Sequence, residues 1–226
     1  METGKIGIID YNAGNITSVA HALTQIGCEY TIAKDPKDLE NAQKIIFPGV
    51  GDAGFALAEL KKSGFDDFLR NKCEKCVPIL GICLGAQIIF DYSEESETQC
   101  LGLVRGKVVH LKNLLDAAHI SENLKIPHMG WNSINIADGE TSGETGEIGK
   151  NCPLLCGIPR QADFYFVHSY VIQSDDQSNV VATASYGIEI PAVIQAGKNG
   201  TLFAAQFHPE KSGAAGLRLL ENFIKL

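Results

Sequence analysis

The sequence predicts an α/β fold with a mostly parallel central sheet, flanking helices and an antiparallel extension. In the first half, short apolar runs alternate with segments of helical spacing, which is typical of parallel strands covered on both faces. The second half contains several strand-like runs and a helical pattern that closes the chain. Hydrophobic residues make up 45% and charged residues 20% of the 226 residues, ordinary values for a globular protein. We therefore expect one domain over residues 1–226.

Apolar periodicity and glycine define the elements expected in the first half. Gly27 is expected to end the first helix and Gly64 to interrupt the second, because glycine tolerates the left-handed conformation found at helix ends. The predicted strands cover residues 5–10, 30–33, 44–47 and 77–82, and the predicted helices cover 17–26, 55–72 and 84–90.

The second half is predicted to consist mainly of strands. Asn199-Gly200 is a typical hairpin turn between the last two of them. Residues 138–150 are rich in Gly, Thr and Glu and are expected to form an exposed loop. The predicted strands cover 106–111, 164–172, 180–185, 192–196 and 201–207, and a final helix covers 214–226.

Charge and cysteine content exclude several classes of function. The formal net charge is -8 and basic runs are absent from the sequence, so a nucleic-acid partner is not expected. The apolar runs are far shorter than the roughly 20 residues that span a bilayer, and the start lacks the features of a signal peptide, which favours a cytoplasmic location. Seven cysteines are then expected to be mostly free thiols. Cys73 and Cys76 form a C-x-x-C pair without a second ligand pair, so we expect no metal.

A candidate nucleophile lies between a predicted strand and a predicted helix. Residues 81–85 read G-I-C-L-G, with Cys83 at the centre. A nucleophile at such a sharp turn needs strained backbone, and flanking glycines let the neighbouring chain approach closely. The amide of the following Leu84 would point toward a developing oxyanion, and the helix N-terminus would favour the thiolate. A core cysteine between two packing glycines is the alternative.

A second motif supplies a base and its partner. Residues 207–210 read F-H-P-E after the last predicted strand. Side chains two residues apart in extended chain point the same way, so Glu210 can reach the imidazole of His208. A carboxylate on one ring nitrogen leaves the other free to accept a thiol proton. An H-P-E surface turn is the alternative, but together with Cys83 the motif favours a Cys-His-Glu triad.

The glycine-rich run at residues 48–54, P-G-V-G-D-A-G, follows another strand. Its glycines would let backbone amides turn inward and donate to an oxyanion. A glycine-rich loop by itself is weak support, because it can equally cradle a phosphate.

These motifs, in this order, resemble the class I (triad) glutamine amidotransferases. Three further motifs resemble the glutaminase subunits of imidazole glycerol phosphate synthase, an enzyme of histidine biosynthesis. They are DYNAGN at 10–15, PHMGWN at 127–132 and FYFVHSY at 164–170. The resemblance extends from residue 5 to the C-terminal helix, and it implies a subunit of a heterodimeric enzyme.

The resemblance implies a role for each matching residue. Cys83 would attack the side-chain amide of glutamine, His208 would transfer the proton and Glu210 would orient His208. The amides of Val50 and Leu84 would form the oxyanion hole after the strand at Val50 rearranges. The residues implied to bind glutamine are Gly51, Gln87, Glu95, His168, Ser169 and Tyr170. For His168, a buried strand histidine bonded to backbone is an equally good interpretation. No cofactor is implied.

A partner is also implied by the resemblance. Ammonia would pass to a separate (β/α)8-barrel cyclase subunit, which makes imidazole glycerol phosphate and an aminoimidazole carboxamide ribotide. Asn12, Asn15 and Trp131 match positions at the family's subunit interface. Trp131 fits an exposed anchor, with an ordinary core aromatic as the alternative. Residues 113–125 and 138–150 depart from the family pattern without touching a triad motif.

Three other functions stay open. A paralogous glutaminase could supply ammonia for amidation of a bacterial surface sugar, and the triad does not distinguish this from the histidine pathway. A peptidase or deglycase of the related cysteine-nucleophile superfamily would share the Cys83 turn but generally lacks the F-H-P-E motif. A degenerate binding module would leave Cys83 no more reactive toward iodoacetamide than the other six cysteines.

Overall fold

The structure of the protein is a computed structural model that describes residues 5–12, 14–120, 124–136 and 152–226. Strands in these ranges are β1 Ile6–Ile9, β2 Tyr30–Ala33, β3 Lys44–Gly49, β4 Ile79–Cys83, β5 Tyr92–Ser93, β6 Thr98–Gln99, β7 Gly106–His110, β8 His128–Ile136, β9 Asp163–His168, β10 Tyr170–Ser174, β11 Val180–Tyr186, β12 Ile188–Ala196 and β13 Leu202–Ala205. Helices are α1 Ile16–Gln25, α2 Ala53–Ser63, α3 Phe65–Glu74, α4 Leu84–Gln87, α5 Leu111–Ala117 and α6 Gly213–Ile224.

The main sheet joins a parallel half to an antiparallel half. Its nine strands run in the order β2-β1-β3-β4-β13-β12-β11-β8-β9. Neighbours from β2 to β13 are parallel, and neighbours from β13 to β9 are antiparallel. A second sheet has the order β10-β7-β5-β6. The predicted fold class, a central sheet with flanking helices and an antiparallel extension, is confirmed.

Helices cover both faces of the parallel half. One apolar cluster joins the sheet to α1 and α6, through side chains such as Leu23 and Leu220. The other joins it to α2 and α3, through side chains such as Leu60 and Leu69. Because both faces of the parallel half are buried, a ligand can reach these strands only at their carboxyl edge. The ends of β3, β4 and β13 meet at this edge.

Most predicted elements of the first half are confirmed, some with small shifts at their ends. The strand at 30–33 has the bounds predicted, and Gly64 separates α2 from α3 with a φ of 79°. In the second half, Asn199 and Gly200 lie between β12 and β13 with φ angles of 61° and 65°. They belong to a five-residue connection, 197–201, that closes an antiparallel hairpin, so the hairpin is confirmed but its turn is longer than a two-residue Asn-Gly turn.

The helix predicted over 84–90 is too long, because α4 ends at Gln87. The carbonyls of Ile88, Ile89 and Phe90 accept hydrogen bonds from amides of residues 101–104 instead of from a following helical turn. All three side chains are fully buried. Apolar spacing could not distinguish this buried, irregular run from a helix.

The single strand predicted over 164–172 is also wrong, because the chain breaks at Ser169 into β9 and β10, which belong to different sheets. The Ser169 carbonyl accepts a hydrogen bond from the Leu111 amide at 2.8 Å. Four elements were missed: the two-residue strands β5 and β6, the helix α5, which overlaps the start of the divergent 113–125 region, and β8 across the 127–132 motif.

The acidic 138–150 segment and the cellular location are the two predictions that the fold does not address. The loop predicted over 138–150 lies outside the described residues. In the described part of the chain, none of the helices combines the length and the apolar character needed to cross a membrane. The cytoplasmic location stays a prediction.

Candidate active site

Cys83 occupies a strained turn at the carboxyl end of β4. Its φ is 53° and its ψ is -107°, a conformation that L-amino acids rarely adopt. A Cβ on Gly85 would collide with the Phe47 carbonyl, and a Cβ on Gly81 would lie 2.8 Å from the Gly85 carbonyl oxygen. Only glycine at these two positions lets the turn form, as the G-I-C-L-G motif predicted.

The helix after Cys83 contributes less than the sequence suggested. Because α4 has four residues, few peptide dipoles align behind the sulfur. The predicted support of a thiolate by the helix N-terminus is therefore limited to the amides of this short helix.

His208 and Glu210 form a buried pair at the end of β13. His208 Nδ1 lies 2.7 Å from Glu210 Oε1, and both side chains are fully buried. The His208 amide donates to the Tyr165 carbonyl at 2.9 Å, which ties this segment to β9. Glu210 Oε1 also accepts from Asn15 Nδ2 at 3.2 Å. The carboxylate is thus held from two sides and orients the imidazole.

The partners of His208 favour a charged ring. Burial alone would lower the pKa of His208, but its interactions with the Cys83 sulfur and the Glu210 carboxylate raise that pKa to about 10. Nε2 makes no regular hydrogen bond with a described residue, although Cys83 is close enough to act on the ring. These two neighbours therefore favour the imidazolium form of His208.

A cavity of about 310 Å³ brings most of the predicted site residues together. Cys83 and His208 both line it, so the two distant motifs meet at one place. A cavity of this size is at the small end of ligand pockets, which fits a molecule no larger than an amino acid. Its other lining residues are Val50, Gly51, Leu84, Gln87, Glu95, Pro127, Val167, His168, Ser169 and Tyr170.

The glycine-rich segment after β3 passes beside Cys83. Gly49 of β3 is in register with Cys83 of β4. The next two residues, Val50 and Gly51, line the cavity, and Gly51 has a φ of 100° that only glycine adopts easily. The segment is thus placed where backbone amides can face a reacting group at the sulfur.

Two predicted glutamine-binding side chains bring polar atoms to the wall. Burial raises the pKa of Glu95, an effect that is partly offset by the Ala53 amide, which donates to Oε2 at 2.9 Å. Gln87 Nε2 donates to the Tyr170 carbonyl at 2.9 Å and to Gln206 Oε1 at 3.2 Å. Both amide hydrogens of Gln87 are used in this way, so its Oε1 is the atom left for a ligand.

His168 lines the cavity without offering it a ring nitrogen. Nδ1 lies 2.8 Å from the Tyr170 carbonyl oxygen, and Nε2 lies 3.1 Å from Nδ1 of His128. Of the two interpretations that the sequence left open, the buried strand histidine bonded to backbone is the one that fits this geometry.

The three predicted interface residues have different surroundings. Trp131 is 59% exposed in β8, beside the equally exposed Met129, as expected of an anchor. Asn12 is exposed and donates to Glu59 Oε2 at 2.8 Å. Asn15 is only 3% exposed and turns inward to Glu210, so its side chain has almost no surface for a partner and its predicted place at the interface is not supported.

Sequence reasoning missed several residues around the cavity. Pro127 and Val167 line it, and Cys83 Sγ lies 3.8 Å from the Val167 carbonyl oxygen. His128 and Asn132 do not line the cavity, but they contact one another behind its wall. The 127–132 motif was the available signal, but its use as an interface motif hid these roles.

The remaining titratable clusters give no sign of a metal centre. All seven cysteines, Cys73 and Cys76 included, are free thiols, as predicted. In the residues that the structure describes, no group of three or more His, Cys, Asp and Glu side chains is arranged to hold a metal ion.

One known protein family matches nearly the whole chain. The family model described as glutamine amidotransferase class-I matches residues 7–226. The chain therefore belongs to the class-I glutamine amidotransferase family.

Curated relatives narrow the comparison. Imidazole glycerol phosphate synthase subunit HisH of Geobacillus kaustophilus (strain HTA426) is 41% identical over 220 residues, which cover 97% of this chain and 95% of the relative. The protein of the same name from Nitratidesulfovibrio vulgaris (strain DSM 19637 / Miyazaki F) is 45% identical over 221 residues, which cover 96% of this chain and 95% of the relative. At these identities and coverages, the chain groups with the HisH subunits of the family.

Solved structures agree on the fold. The structure of PurLQS from Thermotoga maritima superposes with a TM-score of 0.71 at 18% identity and covers 98% of both chains. A crystal structure of a glutamine amidotransferase gives a TM-score of 0.68 at 18% identity and covers 97% of both chains. At such low identity these similarities concern the fold alone.

Proposed function

We propose that this chain is the glutaminase subunit of an imidazole glycerol phosphate synthase and that it hydrolyses L-glutamine to glutamate and ammonia through Cys83, His208 and Glu210. The observation that carries the proposal is the shared cavity in which the strained Cys83 meets the buried His208–Glu210 pair. The similarity to relatives named imidazole glycerol phosphate synthase subunit HisH supports glutamine as the substrate and histidine biosynthesis as the pathway.

The first half of the reaction forms a thioester. His208 takes the proton of the Cys83 thiol, and the sulfur attacks the side-chain amide carbon of glutamine. Negative charge then develops on the amide oxygen, and the amides of Leu84 and Val50 donate to it. The imidazolium gives its proton to the amide nitrogen, the carbon–nitrogen bond breaks, and ammonia leaves.

The second half regenerates the enzyme. His208, now neutral, takes a proton from a water molecule, and the resulting hydroxide adds to the thioester carbonyl. The carbon–sulfur bond breaks, glutamate departs, and Cys83 and His208 are free to react with the next glutamine. Glu210 stays ionised throughout and stabilises each charged form of the ring.

Substrate binding follows from the charges of the wall. The Glu95 carboxylate suits the ammonium group of glutamine, and the Gln87 amide oxygen is a further acceptor. Gly51, Ser169 and Tyr170 line the same cavity and complete the proposed binding set, and His168, the remaining predicted member, lines it with both ring nitrogens already bonded. No cofactor enters any step.

The ammonia is proposed to pass to a (β/α)8-barrel cyclase subunit, which uses it to make imidazole glycerol phosphate and the aminoimidazole carboxamide ribotide. Trp131 and Asn12 are exposed and can meet such a partner. The strand at Val50 is proposed to adopt its donating geometry when the heterodimer assembles, so that glutamine is not hydrolysed without use. We also propose that residues 1–226 form one domain and act in the cytoplasm.

A glutaminase assay with a matched variant tests this proposal. Glutamate release by the purified chain is measured alone, with the histidine-pathway cyclase, and with the cyclase and its nucleotide substrate. Turnover is expected to be low alone and highest in the full system. Cys83→Ala is expected to lower turnover at least about 1000-fold, because it removes the nucleophile. The variant should still fold, because the change removes only one sulfur atom at a cavity wall. A folded Cys83→Ala variant with normal turnover would refute the mechanism.

The same assay decides between the alternatives. A paralogous glutaminase of surface-sugar amidation would release glutamate but would not be stimulated by the histidine-pathway cyclase. A peptidase or deglycase would act on peptides or glycated amines and leave glutamine intact. A binding module would show no faster iodoacetamide labelling at Cys83 than at the exposed Cys156.

A further inference from the structure

Two buried histidines outside the proposed catalytic set are in direct contact behind the cavity wall. His128 of β8 and His168 of β9 are opposite one another in the antiparallel register. His128 Nδ1 lies 3.1 Å from His168 Nε2, and both side chains are almost completely buried. Neither ring contributes to the proton transfers described above, so their contact needs another explanation.

Their hydrogen-bond partners fix the positions of the protons. His168 Nδ1 faces the Tyr170 carbonyl, which can only accept, so this nitrogen carries the proton. In a neutral ring Nε2 is then an acceptor, and Nδ1 of His128 must donate to it. Nε2 of His128 is left as an acceptor and lies 3.3 Å from Asn132 Nδ2. Asn132 Nδ2 also donates to the Ser185 carbonyl at 2.9 Å, which agrees with its assignment as a nitrogen.

The surroundings keep both rings neutral. Burial, and to a smaller extent the neighbouring His128 and His208, lower the pKa of His168 to about 3. Burial lowers the pKa of His128 to about 4, and its ring is stacked against Phe166 and Tyr186 at centroid distances of 4.8 and 4.1 Å. A proton on either ring would put two donors face to face. The chain of hydrogen bonds therefore runs in one direction, from Asn132 through both rings to the Tyr170 carbonyl.

The end of this chain is part of the cavity wall. The Tyr170 carbonyl accepts from His168 Nδ1 at 2.8 Å and from Gln87 Nε2 at 2.9 Å. Gln87, Ser169 and Tyr170 all line the cavity, at the point where the chain breaks between β9 and β10. Two donors on one carbonyl hold this irregular segment in a single position.

We infer that His128 and His168 are positioning residues for the substrate: the hydrogen-bond chain from Asn132 to the Tyr170 carbonyl holds the Ser169–Tyr170 backbone and Gln87 in the arrangement that binds glutamine. The inference rests on the proposed glutaminase function, because it takes glutamine as the ligand. It gives His128 a role in glutamine binding. It also changes the role of His168, which would not contact glutamine directly but would hold the Tyr170 carbonyl in place.

A binding measurement without chemistry tests the inference. The dissociation constant of glutamine is measured by calorimetry on the complex of the full chain with its cyclase, in a Cys83→Ala background. His128→Phe keeps the stacking with Phe166 and Tyr186 but leaves His168 Nε2 buried without a donor. We expect glutamine to bind about tenfold more weakly. His128→Gln, which retains an N–H donor, should recover part of the affinity, and His21→Phe on the exposed face of α1 should leave it unchanged.

Kinetics separate this role from support of the triad. With Cys83 present, His128→Phe should raise the KM for glutamine about tenfold and leave kcat and the iodoacetamide labelling rate of Cys83 nearly unchanged. An affinity equal to that of the His21→Phe control would overturn the inference. A parallel fall of kcat and labelling rate would also overturn it, because the pair would then support Cys83 and His208.

A measurement on the unmodified protein keeps the inference testable if His128→Phe does not fold. Nitrogen-15 spectra of the histidine rings at pH 7 should show His128 and His168 as neutral Nδ1–H tautomers. A protonated ring or an Nε2–H tautomer at either position would contradict the hydrogen-bond chain. By contrast, complete absence of glutamine binding by the Cys83→Ala complex would count against the proposed function and not against the pair.

Discussion

Two sets of buried side chains adjoin the same cavity and differ in charge: the charged set of Cys83, His208 and Glu210, and the neutral pair of His128 and His168. His208 faces a carboxylate and a sulfur, and its pKa is raised to about 10. His168 faces a backbone carbonyl and a second imidazole, and its pKa is lowered to about 3. Both rings lie on the cavity wall and both lose hydration, which by itself disfavours the charged form. The difference therefore comes from the partners and not from burial.

The comparison explains how one wall can combine chemistry with rigid support. A ring paired with an ionised carboxylate can hold and release a proton during a reaction. A ring whose two nitrogens are committed to a carbonyl and to another ring cannot change its protonation without breaking a buried hydrogen bond. His208 is thus suited to move a proton, and His168 is suited to hold the chain in place.

The largest effect is expected from breaking the charged set. His208→Ala should lower glutaminase turnover at least about 1000-fold, because proton transfer and the sulfur anion both depend on the ring. Glu210→Gln should impair turnover less, about 10- to 100-fold, since the ring keeps a hydrogen-bonding neighbour but loses its charged partner. Steady-state kinetics with the cyclase measure both variants. Equal losses in the two would contradict the ranking.

A smaller effect is expected from the support of the carboxylate. Asn15 stands at the N-cap of α1, yet its side chain does not cap the helix and donates instead to Glu210 Oε1. Asn15→Ala should lower kcat about tenfold, because the carboxylate loses one of its two donors. The exposed Asn71 in α3 offers a matched asparagine, and Asn71→Ala should have no effect on kcat. If only the KM or the affinity for the cyclase changed, Asn15 would act at the interface after all.

The smallest effect concerns the free energy of unfolding, whose dependence on pH is expected to run in opposite directions for the two sets. The raised pKa of His208 contributes stability that is complete below the ordinary value of about 6.5 and is lost as the pH rises toward 10. The lowered pKa values of His128 and His168 contribute stability that is complete above about 6.5 and is lost as the pH falls toward 4 and then 3. Each contribution changes by at most about 1.4 kcal/mol per pH unit within its window.

Denaturant unfolding at pH 5, 6.5 and 9 checks this prediction. His128→Phe should reduce the loss of unfolding free energy between pH 6.5 and pH 5 and leave the alkaline side unchanged. His208→Gln should reduce the loss between pH 6.5 and pH 9. If both variants kept the pH dependence of the unmodified chain, the assigned charge states would be wrong.

The two sets also differ in how far they could be predicted from the sequence. Cys83, His208 and Glu210 lie in short motifs whose spacing carries the chemistry, so their candidacy followed from local rules. His128 and His168 are forty residues apart and meet only because β8 and β9 pair in one register. A contact set by strand register leaves no mark on local spacing, and this is why sequence analysis left two interpretations of His168 open.

The errors at secondary-structure level have the same origin. The helix predicted over 84–90 ended early because residues 101–104 supply the hydrogen bonds to Ile88, Ile89 and Phe90. The strand predicted over 164–172 broke because the Ser169 carbonyl binds the amide of Leu111, which belongs to another element. In both places a segment distant in sequence forms the hydrogen bonds of the backbone. The spacing of apolar residues contains no information about such distant partners.

The sequence by itself determined the alternation of strands and helices, the glycines that permit the turn at Cys83, and the pairing of His208 with Glu210 two residues away. These features depend on local conformation and on side chains within a few bonds of each other. The tertiary structure decided which residues meet across the cavity, that Asn15 turns inward, and that one histidine is charged and another neutral. Those outcomes depend on burial and on partners brought together from distant segments, which local rules do not contain.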